Sequence, residues 1–243
     1  ISICEEQANN LLKAAFGPIV REAGDISAGV FDDKYNMLAQ AITGTPGHVN
    51  TMAKSVQAMI SEVPKNSFSE GDVLITNDPW IGAGHIFDFV VVTPVFHRKK
   101  LIAYFASTCH ITDIGGIGWS AEARSVFEEG TLIPVSFLRK NFEVQEQLLN
   151  IICSNSRVSN EARGDILSLM SSNDTGVERL LKLFKKYKLP NLTSIAKFIF
   201  ASSNNAMMSI LRQLPKGVFE NKLNLDGYDQ SIFLKAKVPL RSE

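Results

Sequence analysis

Apolar residues at positions 3, 8, 11, 12, 15 and 19 recur at the spacing of one helix face, so residues 3–20 are expected to form an amphipathic helix that closes before Gly24. The pattern then changes to a strand at residues 26–31, a polar turn at 32–36 and a second short apolar run at 37–41, which together read as a hairpin. A Gly-, Thr- and Pro-containing loop from Thr43 to Gly47 leads into a helix over about residues 50–63. Gly71-Asp72 then opens a strand at 73–76. Residues 87–95 and 101–108 are β-branched and aromatic runs flanking the polar turn His97-Arg98-Lys99-Lys100, so they predict an antiparallel hairpin with His97 in water. The glycines of Ile114-Gly115-Gly116-Ile117-Gly118 interrupt regular structure, and a long irregular segment is expected after them.

Beyond residue 144 the period becomes helical. Ile166, Leu169, Met170, Asn173, Val177, Leu180, Leu181 and Phe184 mark one face of a long helix ended by Pro190. A further helix spans about 192–214, and residues 217–238 look like strand. The fold class is therefore α+β: antiparallel hairpins with flanking helices, followed by a helix-rich part. The one candidate boundary divides residues 1–143 from 144–243.

Charge and cysteine content narrow the function classes. The 25 Lys and Arg balance 25 Asp and Glu with no basic stripe, which argues against a nucleic-acid partner. No apolar run is long enough for a membrane helix and no signal-peptide order opens the chain, so a cytoplasmic protein is expected. The opening Ile1 in place of Met predicts residues before it in the full polypeptide. Cys4, Cys109 and Cys153 are odd in number and form no CxxC pair, so reduced, structural thiols are expected.

Three of the four histidines lie within one short stretch: His85, His97 and His110. Pairing Val95 with Leu101 sets His85 opposite Ile111, beside His110 at the open end of the hairpin. Neighbours on a strand point to opposite faces, so a bulge or strand end near Gly84 or Cys109 is needed to bring both rings together. His85-Ile86-Phe87-Asp88 and His110-Ile111-Thr112-Asp113 repeat a His-x-x-Asp spacing. Imidazole with carboxylate suits zinc, manganese or iron and leaves room for an activated water. The alternative is that the histidines are hydrogen-bonded strand ends and Asp88 caps a turn. Neither Gly82-Ala83-Gly84 nor the 115–118 glycines fit a phosphate-binding motif. No G-x-S-x-G elbow occurs, and Cys109 beside His110 would diverge from it on a strand.

The stretches Gly71-Asp72-Val73-Leu74-Ile75-Thr76-Asn77-Asp78-Pro79-Trp80, Gly82-Ala83-Gly84-His85-Ile86-Phe87-Asp88, Val91-Val92-Thr93-Pro94-Val95-Phe96 and His110-Ile111-Thr112-Asp113-Ile114-Gly115-Gly116 resemble the signature of the hydantoinase B/oxoprolinase family. The resemblance extends from Gly24-Asp25-Ile26-Ser27 to Asn155, Arg163-Gly164-Asp165 and Asn173. It implies a divalent metal, zinc or manganese, on His85, Asp88 and His110, with Asp25 as a further ligand. It also implies that Asn77, Asp78 and Asp113 act around the site, with Asp113 and a substrate-facing His48 as the catalytic candidates. The implied function is a metal-dependent subunit of an ATP-coupled hydrolase that opens a cyclic amide such as hydantoin or 5-oxoproline. ATP would act only through a hydantoinase A-like partner subunit in a hetero-oligomer. The alternatives are a subunit of an acetone- or acetophenone-type carboxylase and a non-catalytic remnant that only assembles with an A-type partner. The chain has Gly82-Ala83-Gly84 where members commonly have Gly-Gly-Thr or Gly-Gly-Ser, and Ile111 where they often have a second histidine. It resembles the N-terminal part of a subunit more than twice as long, and a split gene product, a remnant and a trimmed piece are all compatible with that.

Overall fold

The computed structural model describes residues 1–42, 44–64, 67–227 and 229–240; Thr43, the first residue of the expected 43–47 loop, lies outside them. The chain divides into two compact units, Ile1–Ser194 and Ile195–Glu243. The expected division at 143/144 falls inside the first unit.

The first unit is built on a seven-stranded antiparallel sheet. Its strands are β1 (Ile26–Asp32), β2 (Met37–Gln40), β3 (Val73–Thr76), β4 (Asp88–His97), β5 (Lys100–His110), β6 (Ser136–Lys140) and β7 (Glu143–Val144), in the order β2-β1-β5-β4-β3-β6-β7. The helices of this unit are α1 (Ser2–Ala14), α2 (Pro46–Ser61), the single turn α3 (Val126–Glu129), α4 (Glu146–Ser154) and α5 (Ser159–Tyr187). The α+β class holds.

Strand alternation divides the core between the two sheet faces. Phe31, Leu74, Val90, Val92, Tyr104 and Ala106 pack with Met52, Val56, Met59 and Ile60 of α2. The opposite face meets α1 and α5 through a buried polar knot. Asn173 donates from Nδ2 to the Val91 carbonyl at 3.1 Å and to Thr93 Oγ1 at 3.1 Å, while Gln7 Nε2 donates to Asn173 Oδ1 at 2.7 Å and to the Ala106 carbonyl at 3.0 Å. These bonds pair both amide NH2 groups and the Asn173 oxygen, which would be costly to bury alone.

The expected 3–20 helix is broken. α1 stops at Ala14, and a π-helical turn, Ile19–Ala23, follows Pro18. Proline lacks an N–H and disfavours helical backbone in the residue before it. The Asp165 carboxylate accepts the freed Phe16 and Gly17 N–H groups at 2.7 and 3.1 Å.

The β4–β5 hairpin forms in a different register from the expected one. Arg98 and Lys99, at φ 52° and 63°, make a two-residue turn, and His97 pairs with Lys100. Positive φ at both central residues is the geometry whose twist suits a hairpin. An irregularity between Val95 and Phe96 then sets Val95 against Ala103, not Leu101, and Asp88 against His110. His97 is the last residue of β4, half-buried with its ring 5.2 Å from that of Phe184, and does not stand free in water. The irregular segment after Asp113 also contains β6, which pairs with β3. The second unit contains α6 (Thr193–Gln213, which starts just before it) and a hairpin of β8 (Gly217–Leu225) with β9 (Ile232–Leu240), where the sequence predicts one continuous strand-like stretch. Among the described residues no helix is long and apolar enough to cross a membrane.

Candidate metal centre

The start of β1, the start of β4, the end of β5 and the first turn of α2 meet at one end of the sheet. Asp25 directly precedes β1; its carbonyl accepts the His110 N–H at 3.3 Å, and its Oδ1 accepts the Thr45 hydroxyl at 2.5 Å. Asp88 and His110 are cross-strand partners. Both share the parity of Val90, Val92, Tyr104 and Ala106, so they point to the α2 face, where His48 stands. Cys109 has the opposite parity and is fully buried, and burial pushes its thiol well up. His85 precedes β4 in an irregular loop, so strand alternation does not bind it. A strand end near Gly84 was the condition for bringing His85 and His110 together, and β4 starts at Asp88.

The side chains converge on Asp88. Its Oδ1 lies 3.0 Å from His110 Nδ1 and 3.8 Å from His85 Nδ1, and its Oδ2 lies 2.9 Å from His48 Nε2. Asp25 Oδ2 is 3.9 Å from His110 Nδ1, and Asp25 Oδ1 is 3.5 Å from His48 Nδ1. Two overlapping sets thus have the spacing for a cation: His85, Asp88 and His110, and Asp25, His48 and Asp88.

The shorter of these distances, 2.9, 3.0 and 3.5 Å, fit donors around one ion, and those at 3.8 and 3.9 Å fall just beyond. Donor atoms each about 2.0–2.2 Å from one metal stand roughly 2.8–3.6 Å apart. His48 Nδ1 and His110 Nε2 are buried without a hydrogen-bond partner, which natural interiors seldom leave. Two carboxylates and the imidazole nitrogens make a mixed oxygen and nitrogen donor set of the kind that suits a divalent cation.

Electrostatics bind the same groups. Burial works against an ionised Asp88, but hydrogen bonds from His110 and His48, with the His85 imidazole nearby, hold its carboxyl well below the usual carboxylate range. Burial alone would lower the His48 pKa, and its contact with Asp88 raises it instead. Asp88 also raises His85, against a smaller effect of burial.

Neighbouring residues hold the loops in place. Asn77 donates from Nδ2 to the Ile86 and Thr131 carbonyls at 2.8 and 2.9 Å and accepts the Ile133 N–H at 2.7 Å, so it joins the end of β3 to the His85 loop. Asp78 accepts the Trp80 N–H at 2.9 Å and turns the chain toward His85. Phe87 stacks on both His85 and His110, with centroids 5.2 and 5.4 Å away, and the exposed Trp119 ring is 5.1 Å from that of His110. Asp113 turns to Arg157, accepting from its main-chain N–H at 2.5 Å, its Nε at 2.9 Å and its Nη2. Burial opposes ionisation of Asp113, and Arg157 overcomes it and lowers the pKa. Sequence reasoning missed Thr45, Trp119 and Arg157, which no local spacing connects to a metal motif. It gave His48 a substrate-facing role, and the structure sets His48 Nε2 at 2.9 Å from Asp88 Oδ2.

An antiparallel sheet with an imidazole–carboxylate cluster at one end agrees with the signature residues around it. The hydantoinase B/oxoprolinase family matches residues 1–242, and the chain belongs to that family. Over 190 residues, 76% of this chain and 34% of the relative, it is 34% identical to an uncharacterized protein of Methanocaldococcus jannaschii. It is 31% identical to a 5-oxoprolinase of Saccharomyces cerevisiae over all of this chain and 20% of that one. A caprolactamase subunit beta of Pseudomonas jessenii is 25% identical, covering 91% of this chain and 38% of the relative. The fold is that of the crystal structure of the ATP-dependent caprolactamase from Pseudomonas jessenii, with a TM-score of 0.88 at 24% identity over 99% of this chain and 42% of that chain. The chain therefore spans between a fifth and about two fifths of the length of these curated relatives.

Proposed function

We propose that this chain carries the metal centre of an ATP-coupled hydrolase of cyclic amides, of the kind that opens hydantoin or 5-oxoproline. The observation behind this reading is the convergence of His85, Asp88 and His110, with Asp25 and His48, in a member of the hydantoinase B/oxoprolinase family. A divalent ion held there would supply Lewis-acid polarisation of the amide carbonyl. The chain's own residues do the rest. Asp88 orients three imidazoles at once, and Asn77 keeps the His85 loop against β3. His48, held by the contact of its Nε2 with Asp88 Oδ2, is the substrate-facing imidazole of the site. Asp113 acts as a positioning residue by pinning Arg157 to the turn that follows His110.

Amide resonance makes ring opening difficult, and coupling to ATP provides the driving force. The sequence has no phosphate loop, so nucleotide chemistry belongs to a hydantoinase A-like partner subunit. The caprolactamase relative is likewise named as a subunit. The test is metal per chain after purification and after reconstitution with zinc or manganese, followed by turnover of 5-oxoproline and hydantoin with ATP and an A-type partner. Stoichiometric metal and partner-dependent turnover are expected. A chain that takes up neither ion would sink the reading, and turnover without the partner would overturn the division of labour.

A further inference from the structure

A pocket of about 450 Å³ opens beside His85, and Trp80, Ile86, Arg124, Val126 and Glu129 line it with the imidazole. Trp80 and Val126 offer apolar surface matched to the carbons of a small ring. Arg124 and Glu129 are the two opposite charges on the wall, and they do not pair with each other. The Arg124 guanidinium has no ion-pair partner among the described residues; only its main-chain N–H is engaged, donating to Glu128 Oε2 at 2.9 Å. A planar guanidinium left free at a pocket wall suits a carboxylate, which it can meet with two parallel hydrogen bonds.

This wall is fastened to the turn that follows His110. The Ile117 N–H donates to the Glu128 carbonyl at 2.9 Å, and the Thr131 N–H donates to the Ile114 carbonyl at 3.0 Å. Gly116 sits at φ 61°, and a Cβ there would stand 2.4 Å from the Glu128 carbonyl oxygen, so the backbones touch where only glycine fits.

We infer that Arg124 is a specificity residue: it binds an anionic substituent of the cyclic amide, while Glu129 repels that anion and leaves the uncharged amide edge to face His85. This rests on the cyclic-amide reading above and narrows it to substrates that carry a carboxylate. The zinc-loaded chain, wild type, Arg124→Gln and Arg124→Lys, is titrated by calorimetry or NMR with 5-oxoproline and with 2-pyrrolidinone, the same ring without the carboxylate. Zinc per chain is measured for each. The wild type should prefer 5-oxoproline by about tenfold or more, as expected for a partly exposed charged hydrogen bond. Arg124→Gln should lose that preference without changing 2-pyrrolidinone binding, and Arg124→Lys should keep part of it. Equal affinity of the wild type for the two rings, binding of neither, or an equal loss for both rings in Arg124→Gln would overturn the inference. Failure of the chain to hold zinc, with the preference for 5-oxoproline intact, would overturn the metal reading and leave the Arg124 subsite standing.

Discussion

Asp88, the first residue of β4, pairs across the ladder with His110, the last residue of β5, and their side chains meet at 3.0 Å. The pairing places a carboxylate and an imidazole on one face at a strand end, where His48 of α2 and the His85 loop reach the same oxygens. Rigid strands fix two of the donors, and the loop supplies a third.

Removing donors should therefore remove metal. His110→Ala or His85→Ala takes one neutral donor from the site, and Asp88→Asn weakens both candidate sets because both use its carboxylate. Metal per chain, measured by elemental analysis after identical purification, should fall sharply in all three and furthest in Asp88→Asn. His97→Ala is the control: it should keep its metal and lose about 1 kcal/mol of stability from the contact with Phe184. Equal metal loss in His97→Ala would show that the ligand assignment is wrong.

Asn77 makes three hydrogen bonds, two of them buried, that close the loops around the site. Truncation to Ala leaves two carbonyls and one N–H without that partner, so Asn77→Ala should cost about 2–4 kcal/mol in urea denaturation. A cost below about 1 kcal/mol would mean that water replaces the amide.

Gly176 of α5 lies against Phe105, and a Cβ there would stand 2.6 Å from the ring. Alanine normally gains about 1 kcal/mol over glycine inside a helix. Here the clash with a buried ring, at about 1–3 kcal/mol, should outweigh that gain. Gly176→Ala is expected to lower the midpoint of thermal unfolding, and a raised midpoint would show that the core yields at no cost.

The Asp113–Arg157 pair gives the stability a pH signature. The folded pKa of Asp113 is depressed below its unfolded value, so its contribution is fully present above about pH 4 and is lost as pH falls through the folded pKa. The stability difference between wild type and Asp113→Asn should be constant near neutrality and shrink toward zero in acid. Denaturation curves at a series of pH values measure it, and a difference that grows as pH falls contradicts the ion pair.

Much of the architecture was legible in the residues themselves. Val73–Thr76, the hairpin around Arg98-Lys99 and the buried face of α5 all follow from local alternation or helical period, because side-chain direction repeats every two residues in a strand and every 3.6 in a helix. The resemblance carried by the His-x-x-Asp motif and the neighbouring signature residues names His85, Asp88 and His110 as ligands, and the fold brings these three side chains within reach of one point.

Register and convergence were decided only by the tertiary structure. The hairpin is shifted by two residues from the expected pairing, because the φ > 0 turn and the irregularity at Val95/Phe96 set which residues meet. A shift of two preserves side-chain parity, so each residue keeps its face while the partner of His110 is Asp88 and not Ile86. The contact of His48 with Asp88, the approach of Asp25 and the capture of Asp113 by Arg157 join residues 40, 85 and 44 positions apart. Periodicity reports only how a segment meets its immediate surroundings. Contacts between distant segments depend on how the helices and strands pack, and here α2 and β1 bring their residues to the end of β5 only once the sheet has closed its ladder.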